Sequence, residues 1–98
     1  MLFGKNYFEI FHITQEYDVD QKDLLKSYLD LQREFHPDRY IASSEAEKRI
    51  NMQWVAEINL AFETLSDDLL RSIYLLKIRG HELEENPKLD NGVLLKQI

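Results

Sequence analysis

A chain of 98 residues with 44% hydrophobic and 31% charged residues is large enough for one compact domain and not comfortably for two. Its formal net charge of −6 argues against nucleic acid, whose phosphates need a basic face, but leaves room for a local basic stripe. With no cysteine there is no disulfide and no thiolate metal site, and no apolar run approaches the ~20 residues of a membrane span. The composition argues against intrinsic disorder except at the ends, and the lack of cysteine fits a reducing compartment. The opening Met1-Leu2-Phe3-Gly4-Lys5-Asn6 has the pattern of neither a signal peptide nor an Arg-rich transit segment.

In chain order, Asn6 to Phe11 places Tyr7, Phe8, Ile10 and Phe11 at one-turn spacings, which suits a short helix. A strand is the competing reading, because aromatic and branched residues favour both. His12 to Asp18 reads as a loop.

Gln21 to about Phe35 is the clearest helix. Asp20 is its expected N-cap, Asp23 lies in the first turn, and Val19 and Leu24 are spaced for a hydrophobic staple. At about 100° per residue, Leu24, Tyr28, Leu31 and Phe35 share one face, with Lys22, Lys26 and Arg33 almost opposite. Pro37 ends the helix by pushing His36 out of the helical region.

His36 to Ser44 is then a loop. Ser44 and Glu47 form a capping box that opens a long helix to about Leu65, with Ile50, Trp54, Ile58, Ala61, Phe62 and Leu65 expected on its apolar face. Ser66-Asp67 starts a fourth helix to about Arg79, apolar at Leu69, Leu70, Ile73, Tyr74, Leu76 and Ile78, with Gly80 expected as its C′ residue. His81 to Pro87 reads as a linker, and Asp90 to Ile98 as the start of a further helix. The expected fold is all-α: a long antiparallel helix pair joined by the loop, with the first and fourth helices covering its core.

His36-Pro37-Asp38 is the one constellation with unusual chemistry. The helix must stop there, so the three residues are expected at the tip of the hairpin. Pro37 stiffens the loop, Asp38 offers an acceptor and His36 a donor or acceptor. The bare tripeptide also suits a helix-stop loop with no partner. Catalysis by His36 with Asp38 is a poor reading, since no nucleophile or oxyanion donor lies nearby. Metal binding is equally poor, because His12 and His81 are distant and no ligand pair stands at i, i+4. Trp54, Phe62 and Tyr74 lie on apolar stripes and read as core.

In context the motif says more. A helix with a basic outer face, His-Pro-Asp, Arg39 and Tyr40, then Ile58-Asn59-Leu60-Ala61-Phe62-Glu63-Thr64-Leu65 resembles a J-domain (DnaJ-like) throughout. Tyr7-Phe8-Glu9-Ile10-Phe11 resembles that family's first helix, and Asp67 or Asp68, Arg71 and Tyr74 its fourth-helix D-x-x-x-R-x-x-Y pattern. The resemblance covers about Asn6 to Gly80. Within the family the chain most resembles the HscB type, co-chaperones of iron–sulfur cluster assembly, through Asp30-Leu31-Gln32-Arg33 and Leu70-Arg71-Ser72-Ile73-Tyr74-Leu75-Leu76. Leu75 stands where ordinary J-domains carry an Asp.

The resemblance implies a J-domain over residues 1–80, and over 81–98 a linker and the start of a C-terminal helical domain. It implies no enzyme activity and no cofactor or metal. The implied partner is an HscA/DnaK-class ATP-dependent chaperone, bound through His36, Pro37, Asp38, Arg33, Lys26, Arg39 and Lys22, whose ATPase the module stimulates. Arg33 is the firmest of the basic set, because it sits one turn before His36. An iron–sulfur scaffold is the implied client, held by a C-terminal domain absent here; no nucleic acid or membrane is expected. A bacterial cytoplasm is the expected setting, ahead of a mitochondrial matrix. The alternatives are a general J-domain co-chaperone for another client, or a helical interaction module in which His-Pro-Asp is accidental.

Overall fold

A computed structural model describes residues 4–84, with side chains described as far as Gly80. Every element in it is helical: α1 (Tyr7–Ile10), α2 (Gln21–Glu34), a 3-10 turn (Pro37–Tyr40), α3 (Glu45–Ser66) and α4 (Asp68–Glu84).

Each helix begins where a side chain satisfies its orphan N–H groups. Asn6 and Glu9 form a reciprocal capping box at α1, with Asn6 Oδ1 accepting from the Glu9 N–H at 2.9 Å and the Asn6 N–H donating to Glu9 Oε1 at 2.8 Å. That box decides the first segment for helix rather than strand. Asp20 caps α2 by accepting from the Lys22 N–H at 2.9 Å. Ser44 and Glu47 repeat the capping box at α3, and Asp67 Oδ1 accepts from the Leu70 N–H at 2.9 Å as α4 begins.

Helices α2 and α3 are antiparallel, and three hydrogen bonds set their register. Gln21 donates to the Leu65 carbonyl, the Tyr28 hydroxyl to Asn59 Oδ1 and the Asn51 amide to the Phe35 carbonyl, so residue numbers rise along one helix as they fall along the other. Tyr28 also stacks on Phe62 at 3.9 Å. α3 is the spine, since α1, α2, the 3-10 turn and α4 all pack against it. Phe8, Phe11, Leu24, Ile58, Ala61 and Leu65 are fully or almost fully buried between them, with Ile10, Phe35 and Leu75 close behind.

Three expectations need correction. Ile50 is half exposed and lies off the buried stripe of α3. At that end α3 meets the turn on the Asn51 side, and Ile50 borders a surface hollow with Tyr40 and Trp54. On α4 the residues that point inward are Arg71 and Leu75, with Tyr74 and Ile78 partly buried beside them as expected, whereas Leu69, Leu70, Ile73 and Leu76 are exposed. Finally, α4 does not stop at Gly80 but continues through His81 to Glu84. Glycine costs about 1 kcal/mol in a helix interior without ending it. A C′ glycine needs positive φ, which among the described glycines only Gly4 adopts. The rest of the expected linker, and the further helix from Asp90, lie outside the described residues.

Candidate functional site

The turn between α2 and α3 follows from its sequence. Phe35 is the C-cap of α2, its N–H bonded to the Leu31 carbonyl, and His36 is extended at φ −60°, ψ 135°, as a residue before proline should be. Pro37 at the first position of the 3-10 turn has no N–H to leave unpaired. The Asp38 N–H lies 3.2 Å from His36 Nδ1, so the imidazole itself caps the turn. The Asp38 carboxylate stands off at 3.7 Å. With Nδ1 engaged as an acceptor, Nε2 carries the proton of the neutral ring.

The side chains of His36 and Asp38 are 58% and 82% exposed. They form a tip with a donor and a carboxylate facing solvent, carried on two long helices. Beside His36 and Pro37 a shallow hollow opens between α2 and α3, walled by Leu31, Phe35, Val55 and Ile58. It offers an apolar flank to whatever approaches the tip.

The basic residues expected opposite the core do lie on the outer face of α2. Lys22, Lys26 and Arg33 are exposed and border one surface hollow with Leu25, Leu29 and Asp30. The stripe is therefore mixed: two half-exposed leucines run along it, and Arg33 is ion-paired to Asp30. Arg39 is exposed on the 3-10 turn, outside that hollow. The structure thus gathers Lys22, Lys26 and Arg33 on one face, and sets His36, Pro37, Asp38 and Arg39 at the adjoining tip.

Among the described residues no group of three His, Asp or Glu side chains is placed to hold a metal ion, and no helix is long and apolar enough to cross a membrane.

Two important residues were given no role by sequence reasoning. Arg71 is 4% exposed and donates to the Tyr17 carbonyl at 2.6 Å, to the Leu65 carbonyl at 2.8 Å and to Asp68 at 2.8 Å. It is a structural clamp, and of the two candidate acids Asp68 pairs with it while Asp67 caps α4. Asn51, also 4% exposed, reaches from α3 to the end of α2. Asn51 left a faint signal, a polar residue one turn before Trp54 and two before Ile58 on the apolar stripe of α3, whereas Arg71 was marked only by its place in the fourth-helix pattern.

Comparison with known proteins bears on this arrangement. The DnaJ domain pattern matches residues 6–74. The Co-chaperone protein HscB homologs of Burkholderia thailandensis and Burkholderia multivorans are each 37% identical over 95 residues, covering 95% of this chain and 54% of the relative. The chain therefore spans about half the length of these curated relatives. Among solved structures, the chaperone HscB from Vibrio cholerae superposes with a TM-score of 0.75 at 38% identity, over 78% of this chain and 47% of that one. Human co-chaperone protein HscB gives a TM-score of 0.75 at 34% identity, over 79% and 39%.

Proposed function

The chain belongs to the DnaJ domain family, and from that premise we propose that it binds an HscA/DnaK-class chaperone through His36, Pro37 and Asp38 and stimulates its ATP hydrolysis. The observation that carries this reading is the exposed, self-capped His36–Asp38 tip at the end of a long antiparallel helix pair. The module performs no chemistry. It acts by binding the hydrolysis-competent state of the chaperone more tightly than the resting one, and a coupling of about 1–3 kcal/mol is the usual range for such effects. Lys22, Lys26, Arg33 and Arg39 supply a basic approach to an acidic patch on the partner, which favours encounter and orientation more than affinity.

The likeness to HscB co-chaperones supports a place in iron–sulfur cluster assembly or transfer. The client, an iron–sulfur scaffold, is then held by a second helical domain beyond this J-domain. The outer face of α4 supports such a continuation: Leu69, Ile73 and Leu76 are 66%, 53% and 70% exposed and fall on one stripe directly opposite the buried Arg71 and Leu75. A helix that is apolar on two faces is one that expects cover on both.

The test is single-turnover ATP hydrolysis by a purified DnaK-class chaperone with increasing amounts of this chain. Saturable stimulation, lost on Asp38→Asn, is expected. A chain that leaves the rate unchanged at every concentration is a helical interaction module instead.

A further inference from the structure

Asn51 is a polar residue on the buried stripe of α3, one turn before Trp54 and two before Ile58. Its Nδ2 donates to the Phe35 carbonyl at 2.9 Å. Its Oδ1 is buried and meets no donor among the described residues. Leaving a buried carbonyl unpaired is costly, so asparagine is a poor choice for packing alone; leucine would fill much the same space without the orphaned Oδ1. What leucine cannot supply is the N–H that reaches Phe35.

That contact sits at a sensitive place. The Phe35 carbonyl and the His36 N–H belong to one planar peptide, so a hydrogen bond to the carbonyl fixes the plane from which His36 departs. The carbonyl stands at the C-cap of α2, where the helix's own N–H groups run out. One turn along α3, the Trp54 ring meets the Phe35 ring edge-on at 5.2 Å and 80°. α3 thus holds Phe35 twice, by main chain and by side chain. The hollow lined by Pro37, Tyr40, Ile41, Lys48, Asn51 and Met52 gives the turn room to swing once the first of these ties is cut.

We propose that Asn51 is a positioning residue: by tying the Phe35–His36 peptide to α3 it sets the direction in which His36 and Asp38 are presented to the chaperone. The inference rests on the proposed function for its consequence, but not for its structural content. If the tie is cut and the competent presentation falls to a tenth of the population, apparent affinity falls about tenfold with no change in the interaction at saturation.

The experiment compares the whole chain with Asn51→Leu, and with Leu75→Val on α4 as a stability control, at a temperature where all are folded. Asn51→Ala replaces the leucine variant if that one does not fold. Two quantities are read: chaperone ATPase against chain concentration, and backbone amide order parameters from NMR relaxation. Asn51→Leu is expected to raise the half-maximal concentration about tenfold while keeping the maximal rate. The Asp38 and Arg39 amides are expected to drop from about 0.85 toward 0.6, with α3 unchanged. Leu75→Val should move neither. Tip amides as rigid in Asn51→Leu as in the parent chain overturn the proposal. So does a matching loss of maximal rate in both variants. If the parent chain stimulates no chaperone, the functional reading fails and the order parameters alone decide the role of Asn51.

Discussion

Arg71 lays its guanidinium over the ring of Tyr17, 4.6 Å from the centroid, while donating to the main-chain carbonyl of the same residue. One side chain of α4 thereby fastens the α1–α2 loop to the helical core. The same group holds the end of α3 through the Leu65 carbonyl, and its charge is balanced by Asp68. Arg71→Leu should therefore cost roughly 2–4 kcal/mol, since it removes a donor from two main-chain carbonyls and breaks the pair with Asp68 at a buried site. Arg71→Lys keeps the charge but loses the planar fork, and should still cost about 1 kcal/mol or more. Urea unfolding followed by circular dichroism measures both. A loss under about 0.5 kcal/mol for leucine, the range of an ordinary surface change, would show the clamp to be ornamental.

The α1–α4 contact gives a pH-dependent prediction. The Tyr74 hydroxyl accepts from the Tyr7 N–H at 2.9 Å, and the two rings stack at 4.3 Å. Burial, with the Glu57 carboxylate nearby, holds both phenols above their ordinary pKa; for Tyr74 the Tyr7 N–H offsets part of this. A raised acid pKa means the fold favours the protonated ring. That stability is complete below the unfolded value of about 10 and is lost as pH rises through the folded value. Tyr74→Phe should cost about 0.5–1.5 kcal/mol near neutrality, for the lost hydrogen bond. The gap to the parent chain should stay level from about pH 8 to about 10 and narrow as pH rises beyond that, because phenylalanine cannot ionise. Denaturant midpoints across that range test it; a gap that widens with pH would mean the phenolate is better accommodated than burial allows.

How much of this was legible in the sequence depends on which force sets each feature. Caps were readable because they are local: Asp20 and Ser44 with Glu47 stand where their chemistry requires. Pro37 ended α2 for the same local reason. The inner face of α2 was readable from its period. The inner face of α4 was not, because that helix is apolar on both sides and periodicity alone cannot choose between Leu75 and Leu76; contact with α3 makes the choice. Arg71 and Asn51 were hidden for a related reason. Each is buried by partners 54 and 16 residues away, and no local pattern shows that a carbonyl will be waiting there.

The basic face should act through its charge, and unevenly. Lys22, Lys26 and Arg33 share one exposed surface, with Arg33 one turn before the His36 tip. Arg33→Glu should weaken chaperone binding more than Lys22→Glu, although its ion pair with Asp30 already moderates its charge. Exposed charges are screened over about 8–10 Å at physiological salt, so raising salt should weaken the parent chain and shrink the difference between the variants. Titration by calorimetry or surface resonance at low and high salt distinguishes the cases. Binding that ignores salt would remove the electrostatic role of all three residues.

The tip should separate function from stability. His36 and Asp38 are exposed, and their contacts are local: the Asp38 N–H to Nδ1 at 3.2 Å, and the carboxylate at 3.7 Å. Neither side chain reaches the core, which is closed beneath them by Phe35, Trp54 and Asn51. Substitutions at such positions usually shift stability by no more than about 0.5 kcal/mol. Asp38→Asn keeps the shape and the main-chain N–H and removes only the charge. His36→Gln keeps a polar group but replaces the ring nitrogen that caps the turn, so it should loosen the turn slightly more. Both should melt within about 2–4 °C of the parent chain, by the scaling for a domain of this size. Both should lose chaperone stimulation. Thermal melts beside the ATPase assay give the two readouts from one preparation. A variant that melts several degrees lower while retaining stimulation would reverse the assignment, making the His36–Asp38 tip a structural element and leaving the basic face of α2 as the docking surface.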